Sequence, residues 1–338
     1  MHAHISLTMG WSVRIWFAFV LLSLMAIDSA VAGRFERRAL IPREQGLYRS
    51  QIHRGGGRRT RPDNALETFL WCWGHGTSPE ADARLTKDGV MIAMHDKDFK
   101  RIGRGLTPEF AERQVSDMSW EEVRDIDTGS YLDSQYASTR LATMESVFAA
   151  MKGRPERLLY VDEKGADPEA VAELARRFGV VGQIFFCSRN WKKVIEWRMV
   201  APEGCSMVWL GIGPRGTTAA DIRRKEEFVR QRLDEMEAFG FDGIDQVQIH
   251  IEVDATRLAE GKDPFCPTTP FLKNAVARLH KYGVSANAAN WEGRNPEIYG
   301  RLWEMGFDIF TTDYPLALFP ILERLKGTAR RSGKSGGA

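Results

Sequence analysis

Short apolar runs typical of β-strands alternate with helical patterns along most of this sequence. Asn64 and Glu67 have the spacing of a capping box at the start of the first helix. The helical patterns lie at residues 64–74, 168–179, 190–199, 218–239, 270–282 and 295–305. The strand-like runs of one parallel set lie at residues 48–53, 79–85, 158–164, 183–188, 206–211, 244–250, 284–290 and 307–313. Eight parallel strands with crossover helices predict an α/β fold, the (β/α)8 TIM barrel, with an open doubly wound sheet as the alternative.

A further run at 90–96 stands outside this parallel set. Only a Lys-Asp-Gly turn separates it from the strand at 79–85. A connection this short makes a hairpin, because a parallel crossover needs about a dozen residues or more. The segment 97–140 that follows is largely polar. The sequence therefore predicts a barrel with an added hairpin strand and an insertion after the second barrel strand.

The N-terminus has the three regions of a secretory signal peptide. Arg14 precedes an apolar run at 15–27, and Ala30 and Ala32 follow in A-x-A spacing. The run of 13 residues is shorter than the ~20 apolar residues that span a bilayer. We therefore expect a signal peptide at 1–32, export to the periplasm or the medium, and no stable membrane span after processing. An uncleaved membrane anchor is the alternative.

The composition is typical of one globular domain. The chain is 43% hydrophobic and 27% charged, which excludes a disordered protein. Its net charge of +2 gives no reason to expect nucleic acid as a partner. We predict a polar lead-in at 33–47, a barrel domain at 48–325 and a disordered basic tail at 326–338.

Polar side chains collect at the carboxyl ends of the predicted strands, where a TIM barrel carries its active site. His53 and Arg54 end the first strand, and His95 ends the return strand. Glu80 and Asp82 are two residues apart on the second strand, so both point to one face of the sheet.

The alternation along "LLYVDEK" (158–164) separates the two faces of the next strand. Leu159 and Val161 suit the side that packs against helices. Asp162 and Lys164 should therefore face the barrel axis.

Three carboxylates, from Glu80, Asp82 and Asp162, would repel one another at this mouth, and some would take up protons. A hard divalent cation, Mg²⁺ or Ca²⁺, removes this conflict. Arg54 and Lys164 beside such a cation suit an anion such as phosphate. The two histidines can move protons near neutral pH. Together these groups indicate cleavage of a phosphodiester.

The motifs, in this order, resemble the signature of the glycerophosphodiester phosphodiesterase family, which runs H-R-G, E-N-T, E-x-D, T-x-D-G and H-D. The stretches that carry the resemblance are "HRGG" (53–56), "RPDNALETF" (61–69) and "PEADARLTKDGVMIAMHD" (79–96). It continues in "MSWEEVRDIDTGS" (118–130), "RLATMESVF" (140–148), "DEK" (162–164) and "TTDYP" (311–315). The resemblance covers about residues 48–320. It implies a (β/α)8 barrel and metal-dependent hydrolysis of small-molecule glycerophosphodiesters to glycerol phosphate and an alcohol.

The resemblance also implies roles for individual residues. By position, His53 and His95 correspond to the acid/base pair of the family. Arg54 corresponds to its phosphate-binding arginine, and Lys164 to its strand-end lysine. The implied metal ligands are Glu80, Asp82 and Asp162.

The sequence departs from the family pattern at several positions. Asp63 replaces the glutamate of E-N-T, Ala65 replaces its threonine, and Asp162 replaces the glutamate of E-x-K. The usual W-T-V-N stretch reads "NAAN" (287–290), which puts Asn287 where a tryptophan is expected. This change predicts a wider and more polar leaving-group pocket that prefers polar or larger alcohols over choline.

Further pocket candidates are Asp63, Trp209 and His250. Trp209 lies near a strand end and could line the pocket, and His250 ends a predicted barrel strand. The four cysteines lack C-x-x-C spacing; Cys187 and Cys205 fall on neighbouring predicted strands, which leaves one disulfide open.

Two alternatives to the hydrolase remain open from the residues. A non-catalytic barrel could bind phosphorylated ligands, although it would have no need for both histidines and three acids. A phospholipase-type phosphodiesterase acting on lipid head groups should show an exposed apolar loop near the mouth, whereas 97–140 is largely polar.

Overall fold

Parallel strands close into a barrel, which confirms the predicted (β/α)8 fold. The computed structural model describes residues 35–36, 50–216, 218–291 and 294–332. The predicted signal peptide at 1–32 lies outside the described residues. The strands in chain order are β1 (Ser50–Ile52), β2 (Ser78–Leu85), β3 (Met91–Ala93), β4 (Leu159–Glu163), β5 (Ile184–Ser188), β6 (Cys205–Trp209), β7 (Gln246–Val253), β8 (Phe265–Cys266), β9 (Ser285–Asn290) and β10 (Ile309–Thr312).

The barrel ring runs β1-β2-β4-β5-β6-β7-β9-β10 and back to β1, with every neighbouring pair parallel. Strand β1 closes the ring: Ser50 pairs with Phe310 on one side and Gln51 with Ser78 on the other. Strand β3 runs antiparallel to β2, as the short turn predicts. Strand β8 pairs antiparallel with the end of β7. Its two residues are too few to give a periodic signal, and the sequence did not predict it.

The helices follow the strands in the order expected of crossover connections. They are α1 (Gly57–Thr60), α2 (Leu66–Gly74), α3 (Pro108–Glu112), α4 (Trp120–Val123), α5 (Met144–Met151), α6 (Pro168–Phe178), α7 (Trp191–Val200), α8 (Ala219–Glu237), α9 (Ala255–Ala259), α10 (Thr269–Lys281), α11 (Pro296–Glu304) and α12 (Pro315–Ser332). Helix α6 shows why they begin and end where they do. The Asp167 side chain accepts a hydrogen bond from the Glu169 amide at its start, and left-handed Gly179 ends it.

The predicted capping box at the start of α2 is wrong. The helix begins after Ala65, which makes no side-chain capping bond, and Asn64 lies outside it with φ 55°. The Asn64 side chain instead bonds to Asp82 of the neighbouring strand. The Asn64 side chain therefore makes a tertiary hydrogen bond in place of the helix-capping bond that the local pattern predicts.

The barrel wall separates two kinds of packing, as the alternation along β4 predicts. Leu159 and Val161 pack with residues of the outer helices. Tyr160 faces the barrel interior, where it stacks on Phe185 with ring centroids 4.7 Å apart. All four cysteines are buried free thiols, so the disulfide left open by the sequence is not formed.

The insertion between β3 and α5 has a small apolar core of its own. Phe99, Ile102, Val115 and Met118 are buried together beside β3. This core holds the segment after His95 against the barrel. The insertion is therefore an ordered part of the domain.

The final helix continues past residue 325, the domain end predicted from the sequence. Residues 326–332, predicted as disordered, belong to α12. The segment lacks apolar periodicity, which is why the sequence predicts no helix there. Within the described part of the chain, no helix is both long and apolar enough to cross a membrane.

Candidate active site

A cavity of about 520 Å³ lies at the carboxyl ends of the barrel strands. Most of the polar groups that the sequence assigns to the mouth contribute to its wall. Among its lining residues are His53, Glu80, His95, Asp162, Lys164, Trp209, His250, Trp291 and Asp313. Arg54, Asp63, Asp82 and Asn287, also candidates from the sequence, are not part of the wall.

An acidic cluster adjoins this cavity, and two of its three members, Glu80 and Asp162, line the wall. Glu80, Asp82 and Asp162 each present a carboxylate oxygen within 4.8 Å of the other two. Glu80 and Asp82 come from β2, and Asp82 pairs with Asp162 across the parallel β2–β4 ladder. The structure thus brings together the three carboxylates that the sequence predicts to meet.

Ionising all three carboxylates of the cluster is unfavourable, because they are buried and repel one another. Burial raises the pKa of Glu80 well above its usual range, and the charges of Asp82 and Asp162 add to this shift. Burial likewise raises the pKa of Asp162, against the opposing effect of Lys164. Burial also opposes the ionisation of Asp82, but Lys164, His95 and Arg54 outweigh it and lower the pKa of Asp82.

Two features of the cluster suit a hard metal ion: its ligand atoms, and one buried oxygen that accepts no hydrogen bond. All three residues offer carboxylate oxygens, which Mg²⁺ and Ca²⁺ prefer. Asp82 Oδ1 is buried and accepts no hydrogen bond from any described residue. Glu80, Asp82 and Asp162 are therefore the residues that could hold such an ion.

Lys164 lies at the edge of the cluster, where β4 ends. Its Nζ bonds to Asp162 and lies 3.4 Å from Asp82 Oδ1. Burial lowers the pKa of Lys164, but the three carboxylates outweigh this and raise it, so the ammonium stays charged. Since Lys164 also lines the cavity, it can face a phosphate beside the cluster.

His53 is fixed at the mouth by the loop that follows β1. Its Nδ1 lies 2.6 Å from Asp313 Oδ1, just beyond β10. The glycines of "HRGGG" explain this approach: a Cβ on Gly57 would lie 2.3 Å from the Asp313 carbonyl oxygen. Gly57 also has φ 62°, which glycine adopts without strain. The glycine run therefore lets the β1 loop pass close to the end of β10.

His95 faces His53 across the cavity, with ring centroids 6.5 Å apart and planes at 84°. Its Nδ1 lies 2.8 Å from Asp96 Oδ1. Burial raises the pKa of Asp96, but the hydrogen bond from His95 and the charge of Arg101 outweigh this and lower it to about 2. In both histidines a carboxylate holds Nδ1, which leaves Nε2 as the nitrogen for substrate.

Arg54 lies behind the wall of the cavity. Its Nη1 donates to Asp63 Oδ2 at 2.7 Å, and its backbone amide donates to Glu80 Oε2 at 2.6 Å. Arg101 of the insertion also donates to Asp63 Oδ2, at 2.8 Å. In this structure Arg54 therefore orients Glu80 and pairs with Asp63. Asp63, a pocket candidate from the sequence, is buried and paired with these two cations, and it does not line the cavity.

Aromatic rings form another part of the cavity wall. The Trp209 indole donates to Asp162 Oδ1 at 3.1 Å, so the pocket prediction for Trp209 agrees with its position. Trp291 lies 5.1 Å from the His53 ring and 5.6 Å from the His250 ring, measured between centroids. His250, also a pocket candidate from the sequence, lies on the cavity wall.

Asn287 does not line the pocket, which corrects the prediction made for it. It is fully buried on β9, where its amide donates to Gln51 at 2.8 Å and to Gln246 at 3.0 Å. Its side-chain oxygen accepts from Thr311 at 2.9 Å. The polar network fills the barrel below the cavity. Trp291, four residues later, supplies an aromatic wall at the mouth.

The Asn287→Trp variant is expected to destabilise the protein and not to improve the pocket. Overpacking a filled interior costs typically ~1–3 kcal/mol, and each buried amide left unpaired adds about 1–3 kcal/mol. Thermal unfolding measures the effect, with exposed Asn274→Trp on α10 as the matched control. An Asn287→Trp variant as stable as wild type and faster on glycerophosphocholine would restore the original prediction.

Several residues of the site were not predicted. Arg101 and Tyr131 come from the insertion, where Tyr131 accepts a hydrogen bond from the Asp63 amide. Nothing in their sequence neighbourhood marks them, because their partners are far away in the chain. Asp313 was visible as the acid of "TTDYP", but its pairing with His53 depends on closure of the barrel.

A sequence model described as the glycerophosphoryl diester phosphodiesterase family matches residues 53–317. The chain belongs to this family. The match begins at His53 and includes Asp313, so it spans the residues that build the mouth. Glycerophosphoryl diester phosphodiesterases are phosphoric diester hydrolases, and the resemblance noted in the motifs is confirmed.

One relative is the glycerophosphodiester phosphodiesterase of Caldanaerobacter subterraneus. It is 31% identical over 97 residues, which is 28% of this chain and 37% of that protein. The chain therefore aligns with little more than a third of that relative.

Solved structures of the family share the fold. A glycerophosphoryl diester phosphodiesterase from Parabacteroides distasonis superposes with a TM-score of 0.60 at 18% identity, over 88% of this chain and 92% of that one. A phosphodiesterase from Oleispira antarctica, solved with the product sn-glycerol-3-phosphate, has a TM-score of 0.58 at 15% identity, over 81% and 96%. At these identities the likeness establishes the barrel fold.

Proposed function

We propose that this protein hydrolyses glycerophosphodiesters to glycerol phosphate and an alcohol, with a divalent metal ion at the acidic cluster. One observation carries the proposal. Two histidines, each held at Nδ1 by a carboxylate, face each other across a cavity that adjoins three carboxylates. Family membership and the glycerol phosphate bound to the Oleispira enzyme point to the same substrate class.

The two histidines have complementary tasks in this reaction. One Nε2 takes a proton from the attacking water as the new phosphorus–oxygen bond forms. The other Nε2, protonated beforehand, gives its proton to the alkoxide that leaves as the old bond breaks. Asp313 and Asp96 hold the orientations of the two rings through their Nδ1 atoms.

The cationic groups orient the diester. Lys164, charged and on the cavity wall, can donate to a non-bridging phosphate oxygen. A Mg²⁺ or Ca²⁺ ion bound by Glu80, Asp82 and Asp162 would supply positive charge to the same phosphate. Trp209 positions Asp162 through its indole hydrogen bond.

The test is a panel of glycerophosphodiesters incubated with the purified protein and Mg²⁺, with released glycerol phosphate measured by a coupled dehydrogenase. We expect turnover of at least one diester. Binding of the diesters without release of glycerol phosphate would favour the non-catalytic barrel and would overturn the proposed reaction.

A further inference from the structure

The cavity continues beyond the histidines into an outer subsite, between the loop after β6 and the end of β7. Its polar walls take no part in the proposed proton transfers. The outer subsite is formed by Ile212, Arg215, Lys225, His250 and Glu252, all of which line the cavity. Trp291 lies between the His53 and His250 rings and so connects the two parts.

Lys225 places a buried positive charge in this subsite. It comes from the first half of α8, and its side chain is fully buried. Its Nζ donates to the Ile212 carbonyl. Burial lowers the pKa of Lys225, partly offset by Glu252. A buried ammonium bonded to one carbonyl has two further protons to donate.

His250 adds an unused donor beside it. Its Nδ1 accepts from the Trp291 indole at 3.4 Å, so its proton is on Nε2. This Nε2 is buried, in a residue only 8% exposed, and has no partner among the residues described. Burial and the nearby Lys225 lower the pKa of His250 to about 3, which keeps the ring neutral. Buried polar atoms of this kind normally have a partner, and a ligand in the cavity could provide it.

The charges of the outer subsite favour an anion. Lys225 and Arg215 contribute two positive charges, and Glu252 contributes one negative charge. The Oε2 atom of Glu252 accepts a hydrogen bond from the Gly216 amide at 3.0 Å. Glu252 Oε1 is also buried and unpaired within the described structure, so it could accept from an ammonium or a hydroxyl. A quaternary ammonium such as choline would meet two cations and offer no hydrogen bond to His250.

We propose that the outer subsite binds an anionic group, a carboxylate or a phosphate, on the alcohol side of the diester. The proposal rests on the proposed function, because the diester phosphate at Lys164 and the acidic cluster places one of its substituents along Trp291 toward Lys225. His250 and Lys225 donate to the anion, and Arg215 closes the outer side. Neutral glycerol would leave the positive charges of Lys225 and Arg215 balanced only in part by Glu252, so the glycerol moiety lies elsewhere.

The matched probes are glycerophosphoserine and glycerophosphoethanolamine, whose alcohols differ only by a carboxylate. We expect glycerophosphoserine to bind about 10- to 100-fold more tightly, as hydrogen bonds to charged groups allow. Calorimetric titration of the His95→Ala variant in Mg²⁺ measures both dissociation constants without requiring turnover. A protein that binds both diesters but hydrolyses neither would contradict the proposed reaction. The ratio of the two dissociation constants would still test the anion-binding subsite.

The variant Lys225→Met should reduce the preference for glycerophosphoserine to near one, with little change for glycerophosphoethanolamine. The matched control is Lys192→Met, the same substitution at an exposed position of α7. Arg215→Gln, at another exposed position, should lower the preference in the same direction and serves if Lys225→Met does not fold. Equal binding of the two diesters, or a preference that survives in both subsite variants, would overturn the proposal.

Discussion

Replacing either His53 or His95 by alanine is expected to lower kcat/KM on the preferred diester by at least ~10²–10⁴-fold, the usual range for a positioned proton donor or acceptor. Both imidazoles are partly exposed, with side chains 15% and 34% accessible, so truncation opens no internal cavity. The loss should therefore appear in kinetics and not in thermal unfolding. Steady-state rates of glycerol phosphate release, alongside Tm, separate the two effects.

The matched control for these variants is His75→Ala, an exposed histidine just after α2 that stacks on Phe319. It should keep the wild-type rate. The double variant should lose less than the product of the two single losses, because acid and base act in one step. A His95→Ala enzyme with wild-type kcat would remove His95 from the mechanism and leave His53 to act with another group.

Chelation is expected to abolish activity, and added Mg²⁺ or Ca²⁺ should restore it. The three carboxylates that adjoin the cavity would otherwise place negative charge beside an anionic phosphate. Oxygen donors alone disfavour zinc as the native ion. Activity with and without excess chelator, together with metal analysis of the purified protein, measures the dependence. Full activity in chelator with no bound metal would exclude a metal-dependent reaction.

The Glu80→Gln variant separates the role of Glu80 in metal binding from its effect on protein stability. In the folded metal-free protein the pKa of Glu80 is raised, so protonated Glu80 favours folding at low pH, and this contribution is lost as the pH rises and the buried carboxyl has to ionise. The amide removes that charge while its oxygen can still accept from the Arg54 amide. At pH 7 the metal-free variant should unfold at a higher temperature, with roughly 2–4 °C for each kcal/mol gained. The same variant should lose metal-restored activity.

The control for this variant is Glu173→Gln, at an exposed position on α6. It should change neither Tm nor metal dependence. Wild-type metal affinity in Glu80→Gln would show that Glu80 is not a ligand.

The fold could be predicted because its signals are local and repeated. Each barrel strand is a short apolar run, and each helix carries its own pattern, so errors at single boundaries do not change the count. The carboxylates at the mouth followed from the same logic, since period-two alternation assigns Asp162 and Lys164 to one face of β4. Strand ends that meet at one edge of the barrel then bring Glu80 and Asp82 beside them.

The rest of the site depends on contacts between distant parts of the chain. Asn64 has a sequence pattern typical of a helix cap, yet Asp82 takes its side chain. Asn287 occupies a motif position assigned to the pocket, but a network with Gln51 and Thr311 places it in the barrel interior. Sequence spacing reports which face a residue is on; it does not report how deep along the barrel axis the side chain ends.

Alternating charges connect the insertion to the barrel. Arg54 pairs with Asp63, Asp63 with Arg101, and Arg101 with Asp96, which holds His95. Exchanging the insertion between relatives would therefore also exchange Asp96, the carboxylate that holds the His95 ring, and a graft that omits Arg101 would remove one of the two cations that pair with Asp63. The hairpin and the insertion therefore act as one structural unit that sets the orientation of the His95 ring.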